Sequence, residues 1–299
     1  MRLPPPLSAG ARVALIAPSG PLLSNSAVDV ALEQARALGW DAVVGAHATA
    51  RDGYLAGSDA NRLHDLNAAL RDDAIDGIWC LRGGYGAMRL LPHVDVDAMR
   101  RRPRALIGYS DITALHAALG GPAGVITYHA PHAATRLSPF SHTSLELAVV
   151  QHRESCGHAP GARTLRPGRV EGRLIGGNLA LLASLCGTPF APDYTDAILV
   201  LEDIGEPTYR IDRMLRQLAL SGALGRVAGL AFGSFTDSTE EGDASSRALD
   251  DVLREAADMA GVPAVAGVPV GHIDDQWTLP LGAMAVLDAD ACSLHVALS

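Results

Sequence analysis

LIGYSDITALHAAL, Leu106–Leu119, changes character at Ser110. Before it, Leu106–Gly108 reads as the end of a buried strand. After it, Ile112–Leu119 reads as an amphipathic helix. A strand that passes straight into a helix is the repeating unit of a parallel sheet covered on both faces. The same alternation extends outward in both directions. Upstream, RVALIAPSG, DAVVGA and GIWCLRGG are short apolar runs closed by turn residues. Between them lie AVDVALEQARALGW, with Val30, Ala31, Gln34 and Leu38 on one face and Gly39 as a stop, and SDANRLHDLNAALRD. The latter has Ser58 as N-cap and Leu63, Leu66 and Leu70 in one stripe. GAMRLLPHV reads as a short helix ahead of the RALIGYS strand.

Downstream, the composition shifts. Residues 138–172 are rich in His, Ser, Pro, Arg and Gly, and read as a helix near Ser144–Gln151 followed by a linker, HAPGARTLRPGRVEG. This predicts an N-terminal α/β unit over 1–137, a helix and linker over 138–172, and a second unit over 173–299. The second unit opens with GRLIGGNLALLASLCGTP, read as a turn into a helix. AILVLED is a buried strand, YRIDRMLRQLALSG a helix with Ile211, Met214, Leu215 and Leu218 on one stripe, and VAGLAFGSF another strand. SSRALDDVLREAADMAG is a helix, and PAVAGVPVGH and AMAVLDADACSLHVAL are further strands.

Composition narrows the function. The 299 residues are 48% hydrophobic and 19% charged, enough for real cores. Twenty-four basic against 33 acidic residues leave a net charge of −9, which argues against nucleic acid or an anionic membrane as the main partner. The run Val13–Ala17 is too short for a signal peptide and follows three prolines, so the expected compartment is the cytoplasm. Cys80, Cys156, Cys186 and Cys292 form no C-x-x-C pair, and no H-x-x-x-H spacing supports a metal, Asp274 and Asp275 notwithstanding. Cys80 and Cys186 read as core filler.

In open α/β sheets, ligands gather beyond the C-terminal ends of the strands. Four stretches lie there. RGGYG, Arg82–Gly86, has paired glycines that let backbone approach a ligand, although it is no dinucleotide fingerprint. Ser110 stands where a hydroxyl and the Asp111 N–H can address one point, the logic of a nucleophile elbow; as an alternative, Ser110 or Asp111 caps the helix. Glu202 and Asp203 end an apolar strand, while Glu206, Arg210, Asp212 and Arg213 read as surface pairs. His272, in PVGHIDDQWTLPLG, can accept a serine proton, with His129 and His132 as rivals.

In these stretches the chain resembles the LD-carboxypeptidase family of serine peptidases (family S66). The resemblance runs from about Val13 to Val296 through APSGPL, LRGGYGAMRLLPHVD, IGYSDITALH, GRLIGGNLALLASLCGTPF, ILVLEDIGEPTYRIDRMLRQL and VPVGHIDDQWTLPLGAMAVLD. It implies an α/β N-terminal domain, a β-rich α/β C-terminal domain, and an active site in the cleft between them. By motif position, the nucleophile would be Ser110, the acid Glu202 and the base His272. The oxyanion hole would be the N–H groups of Asp111 and Gly84, with Arg82, Gly83 and Tyr85 as substrate-binding candidates. The resemblance further implies a homodimer, no cofactor and no metal. The implied substrate is murein tetrapeptide, free or in muropeptide or nucleotide-linked form, cleaved at the meso-diaminopimelate–D-alanine bond. Two alternatives stand beside it. One is a microcin-C-type immunity peptidase acting on aminoacyl or peptidyl nucleotides, although RGGYG looks more like the murein branch. The other is a non-catalytic α/β protein that binds a small anion.

Overall fold

The computed structural model describes residues 1–24, 26–238 and 247–298. Its first sheet contains β1 (Arg12–Ile16), β2 (Asp41–Val44), β3 (Gly77–Cys80), β4 (Ala105–Gly108) and β5 (Thr127–His129), all parallel to their neighbours. The second sheet contains β6 (Gly157–His158), β7 (Arg163–Arg166), β8 (Arg169–Asn178), β9 (Ala197–Ile204), β10 (Gly229–Thr236) and β11 (Ala264–Ala266). The chain then places β12 (Leu279–Leu281) antiparallel on β5, and closes with β13 (Met284–Asp288) and β14 (Ser293–Ala297) in the second sheet. The sheet orders are β12-β5-β4-β3-β1-β2 and β6-β14-β13-β8-β9-β10-β11-β7.

The strands are apolar on both faces because both faces are covered. Val13 and Leu15 of β1 and Trp79 of β3 point one way, into a core that contains Ala31 and Ala35 of the helix Ala27–Ala37 and continues to Ile198 and Val200 of β9. Ala14, Ile16 and Ile78 point the other way, onto Leu66 and Leu70 of the helix Asp59–Arg71 and Leu115 and Leu119 of the helical turns that follow β4. Leu199 and Leu201 of β9 meet Ile211, Leu215 and Leu218 of the helix Thr208–Leu220, and Val252 and Leu253 of the helix Leu249–Ala260. Each of the buried Val, Leu and Ile side chains contributes about 1.5–3 kcal/mol by leaving water.

Several local readings are corrected. The first helix buries Ala27, Ala31 and Ala35, one position round from the stripe centred on Val30 and Gln34. GRLIGG is not a turn. It belongs to the ten-residue strand β8, where Gly176 is needed because a Cβ there would stand 2.0 Å from the Val200 carbonyl of β9. The stretch read as linker forms β6, β7 and the start of β8, and the helix ahead of it starts earlier, at Pro139, capped by Ser138, and runs on as a π-helical turn over Glu146–Val150. Of the helix read over SSRALDDVLREAADMAG, Ser245 and Ser246 lie outside the described residues. Among the described residues, no helix is long and apolar enough to cross a membrane.

Candidate active site

In the first sheet β1 lies between β2 and β3, so the chain leaves β1 and β3 towards opposite sides. This is where an open α/β sheet forms its crevice. Segments from three strand ends meet there: Pro18–Pro21 after β1, Leu81–Gly86 after β3, and Tyr109–Ser110 after β4.

Ser110 starts an irregular helix of 3-10, α and π turns that runs to Ala123. Its φ of +60° is a left-handed conformation that a non-glycine residue holds at a cost of order 1–3 kcal/mol. Neither Ser110 nor Asp111 caps the helix with its side chain, so the capping alternative fails. The strained turn instead presents the hydroxyl to His272, whose Nε2 lies 3.2 Å from Ser110 Oγ. The other ring nitrogen, Nδ1, lies 2.8 Å from Oε2 of Glu202. Glu202 comes from β9 and is fully buried, and its second oxygen has no partner among the described residues. A buried carboxylate at that distance holds the proton on Nδ1, leaving Nε2 to accept from Ser110. Gly271, at φ +122°, makes the contact possible, because a Cβ there would press on Glu202 at 3.0 Å.

The three residues singled out in sequence thus converge, although 162 positions separate Ser110 from His272. The rival bases do not share that geometry. His132 is buried, with its Nε2 3.0 Å from the Tyr109 carbonyl, and burial pushes its pKa down to about 3. Both nitrogens of His129 are buried without a partner among the described residues, and burial pulls its pKa well below the ordinary histidine value. The Tyr109 ring packs against His129, His132 and His272 together.

The RGGYG turn lies against the hydroxyl. A Cβ on Gly83 would stand 3.1 Å from Ser110 Oγ and 3.1 Å from the His132 ring, so only glycine lets the turn approach this closely. Gly84 has φ +108° and sits over Gly20, whose N–H donates to the Gly83 carbonyl at 2.9 Å. Tyr85 is exposed and packs edge-on against Tyr54. Arg82 donates to the Pro21 carbonyl at 2.6 Å, and Arg51 donates to the neighbouring Leu22 carbonyl at 2.8 Å. Among the described residues, neither arginine forms an ion pair. Partial burial, and then the Arg51 charge, hold the Arg82 pKa below its ordinary value. Arg82 thus stiffens the turn through a carbonyl, with no acidic side chain paired to it among the described residues. Of the four residues read as surface pairs, Glu206 meets Arg210 at 3.5 Å, whereas Asp212 pairs with Arg247 and Arg213 lies over the Tyr209 ring. Cys80 is a fully buried core residue, whereas Cys186 is only half-buried.

Sequence reading missed the brackets behind these groups. The Asp111 carboxylate is buried and accepts from Ser19 Oγ at 2.6 Å and the Ala87 N–H at 2.8 Å, tying together the segments after β1, β3 and β4; burial raises its pKa. Arg62 is fully buried and donates to the carbonyls of Pro18 and Gly86. Its one available signal was a charge on the inward face of an otherwise well-patterned helix, four residues before Leu66. Asp203 accepts from Asn178 Nδ2 and from the N–H groups of Ala180 and Ile204, at 2.8, 2.9 and 2.9 Å; burial raises its pKa to about 6. Asn178 in turn donates its N–H to Thr113 Oγ1 at 3.0 Å, joining the end of β8 to the helix behind Ser110.

Comparison with known proteins gives the family. Residues 13–130 match the LD-carboxypeptidase N-terminal domain, and residues 171–287 match the LD-carboxypeptidase C-terminal domain. The chain is 37% identical to the murein tetrapeptide carboxypeptidase of Pseudomonas aeruginosa, over 93% of this chain and 94% of the relative. The crystal structure of muramoyltetrapeptide carboxypeptidase from Oxalobacter formigenes matches with a TM-score of 0.80 at 27% identity, covering 96% of this chain and 98% of that one. The microcin C7 self immunity protein MccF in its apo state matches with a TM-score of 0.89, covering 99% and 98%; at 24% identity it speaks for the fold alone. The fold and the paired half-matches define a two-sheet α/β carboxypeptidase. The chain belongs to the LD-carboxypeptidase family.

Proposed function

We propose that this carboxypeptidase works through a serine nucleophile and releases the terminal D-alanine of murein tetrapeptide. The observation that carries the mechanism is the continuous line Glu202–His272–Ser110, with contacts of 2.8 and 3.2 Å. Ser110 Oγ attacks the carbonyl carbon of the meso-diaminopimelate–D-alanine bond while His272 Nε2 takes its proton. Glu202 stabilises the imidazolium. The oxyanion of the tetrahedral intermediate faces the N–H groups of Asp111 and Gly84, each worth about 3 kcal/mol to the transition state. Collapse breaks the C–N bond, and His272 returns the proton to the departing D-alanine nitrogen. Water, deprotonated by the same histidine, then hydrolyses the ester on Ser110 and frees the tripeptide.

An exopeptidase must read the substrate's terminal carboxylate. Arg82 fits that task, because its guanidinium stands beside the Gly83–Gly84 turn without an acidic partner. Arg51 adds a second positive charge near it. The test is mass spectrometry of murein tetrapeptide and its C-terminal amide, incubated with the wild type and with Arg82→Ala. The expected result is a free-acid product from wild type and a tenfold to thousandfold loss on the amide, equal to one or two charge-assisted hydrogen bonds. Equal cleavage of both substrates sinks the exopeptidase reading. Undiminished discrimination by Arg82→Ala removes only the arginine's role. Hydrolysis of aminoacyl-sulfamoyl-adenosine in place of tetrapeptide would favour the immunity-type alternative. We assign the reaction to cell-wall recycling in the cytoplasm, a compartment consistent with four free cysteines, and the active species to a homodimer. Fractionation and sedimentation velocity test these two assignments.

A further inference from the structure

The β2 edge of the first sheet carries a group of side chains that the peptidase chemistry does not use. After β2 the chain turns through Gly45–Ala50 and brings His47 onto the helix Asp59–Arg71, beside His64 and Asp65. One donor atom from each of His47, His64 and Asp65 lies within 4.8 Å of the others. The imidazoles of His47 and His64 meet edge to face at 5.3 Å. Asp65 Oδ2 accepts the backbone N–H of His47 at 2.8 Å, and Oδ1 lies 3.3 Å from His64 Nδ1. Gly45 makes room for this: a Cβ on it would stand 2.6 Å from Asp65 Oδ2.

The charge balance is unusual. The Asp65 side chain is only 4% exposed, yet among the described residues its sole ion-pair partner is His64. Buried carboxylates are normally met by a full positive charge. Two imidazoles and one carboxylate form a donor set that suits zinc and its first-row neighbours. Tetrahedral zinc holds its donors about 3.4 Å apart, from bonds of about 2.0–2.2 Å. The His64 side chain is 62% exposed, so its ring is free to rotate into that geometry.

We propose that His47, His64 and Asp65 form a binding site for a divalent transition-metal cation of the zinc type, with the fourth position open to water. The ion would clamp the turn after β2 to the helix whose Arg62 holds the carbonyls of Pro18 and Gly86. Its role is structural. β2 is three strands from β4, or about 14 Å at the usual strand spacing, so the ion takes no part in bond cleavage.

The test uses the full chain, stripped with chelator, desalted and titrated calorimetrically with zinc ion alone. The wild type is expected to bind one equivalent with a Kd below about 10 μM, and to show a higher Tm with zinc than without. His64→Ala and His47→Ala should each weaken binding at least about tenfold and abolish the Tm gain. His64 is exposed, so its replacement leaves the fold intact, and the exposed His158→Ala should bind as wild type. His272→Ala should also retain the equivalent. No binding by wild type, or unchanged binding by His64→Ala and His47→Ala, overturns the proposal. So does loss of the equivalent in His272→Ala alone, which would place the zinc at the triad.

Discussion

Ser110, Glu202 and His272 form one line of hydrogen bonds, so they should fail as one. Ser110→Ala, Glu202→Gln and His272→Ala are each expected to lower kcat by about 10⁴-fold or more, with double variants hardly worse than singles. Steady-state rates on tetrapeptide check this, and multiplicative losses in the doubles would show that the residues act separately. Gly83→Ala probes the same place with one methyl group. That methyl would stand 3.1 Å from both Ser110 Oγ and the His132 ring, so the hydroxyl must shift by a few tenths of an ångström. A tenfold to hundredfold fall in kcat/KM is expected. A fully active variant would mean that the turn does not govern the nucleophile's position. These residues were singled out in sequence because each stands near a strand end, but the choice of His272 over His129 and His132 came from the family resemblance. The two readings of Ser110, elbow or helix cap, were not separable there, because the choice depended on whether a distant histidine would meet the hydroxyl.

Between elements, polar brackets hold the site. Asp111 serves as the common acceptor for Ser19 and the Ala87 N–H, so one carboxylate aligns three strand ends. Asp111→Ala leaves a buried hydroxyl and a buried N–H unpaired, at about 1–3 kcal/mol each. Urea unfolding should show a loss of about 2–5 kcal/mol, whereas Asp111→Asn, whose amide oxygen still accepts both bonds, should lose distinctly less. Equal losses in the two variants would assign the effect to packing alone. None of these brackets could be read from the chain, since their partners are separated by 92 positions for Ser19 and Asp111 and 65 for Thr113 and Asn178. The alternation of strands and helices was legible because short continuous apolar runs closed by turn residues need no partner to be recognised. β8 was misread because its glycines resemble a turn until the Val200 carbonyl beside them is seen. The strands inside 157–172 were hidden by a composition of Pro, Gly and Arg that is typical of loops.

Across the whole molecule, three buried histidines contribute to the response to acid. Burial lowers His116 to about 4 and His132 to about 3, and depresses His129 as well. The native state thus prefers them neutral, and the unfolded chain takes up their protons first as pH falls below the ordinary value near 6.5. Their contribution is intact above that value and is lost on descending towards 4. Asp203 and Asp111, both raised by burial, act in the opposite sense: their contribution is largest at low pH and is lost as pH rises, through about 6 for Asp203. A difference measurement isolates one histidine. His116→Gln can still donate to the Gly108 carbonyl, which His116 Nε2 meets at 2.8 Å, but no longer titrates. Below pH ~6.5, wild type should lose stability relative to the variant by about 1.4 kcal/mol per pH unit until about pH 4. Parallel stability curves would clear His116 of any part in acid unfolding.

The short strand β12 gives the molecule a further property. It is built from Leu279–Leu281 yet pairs with β5, antiparallel, as the outermost member of the first sheet. The last stretch of chain therefore shields the backbone of a sheet made by the first. A fragment ending before residue 138 would expose the β5 edge, with free N–H and C=O groups beside an apolar strand, and such edges recruit other chains. Expressed alone, that fragment should aggregate or scavenge a foreign strand, and a synthetic peptide spanning WTLPLG should suppress the aggregation by occupying the edge.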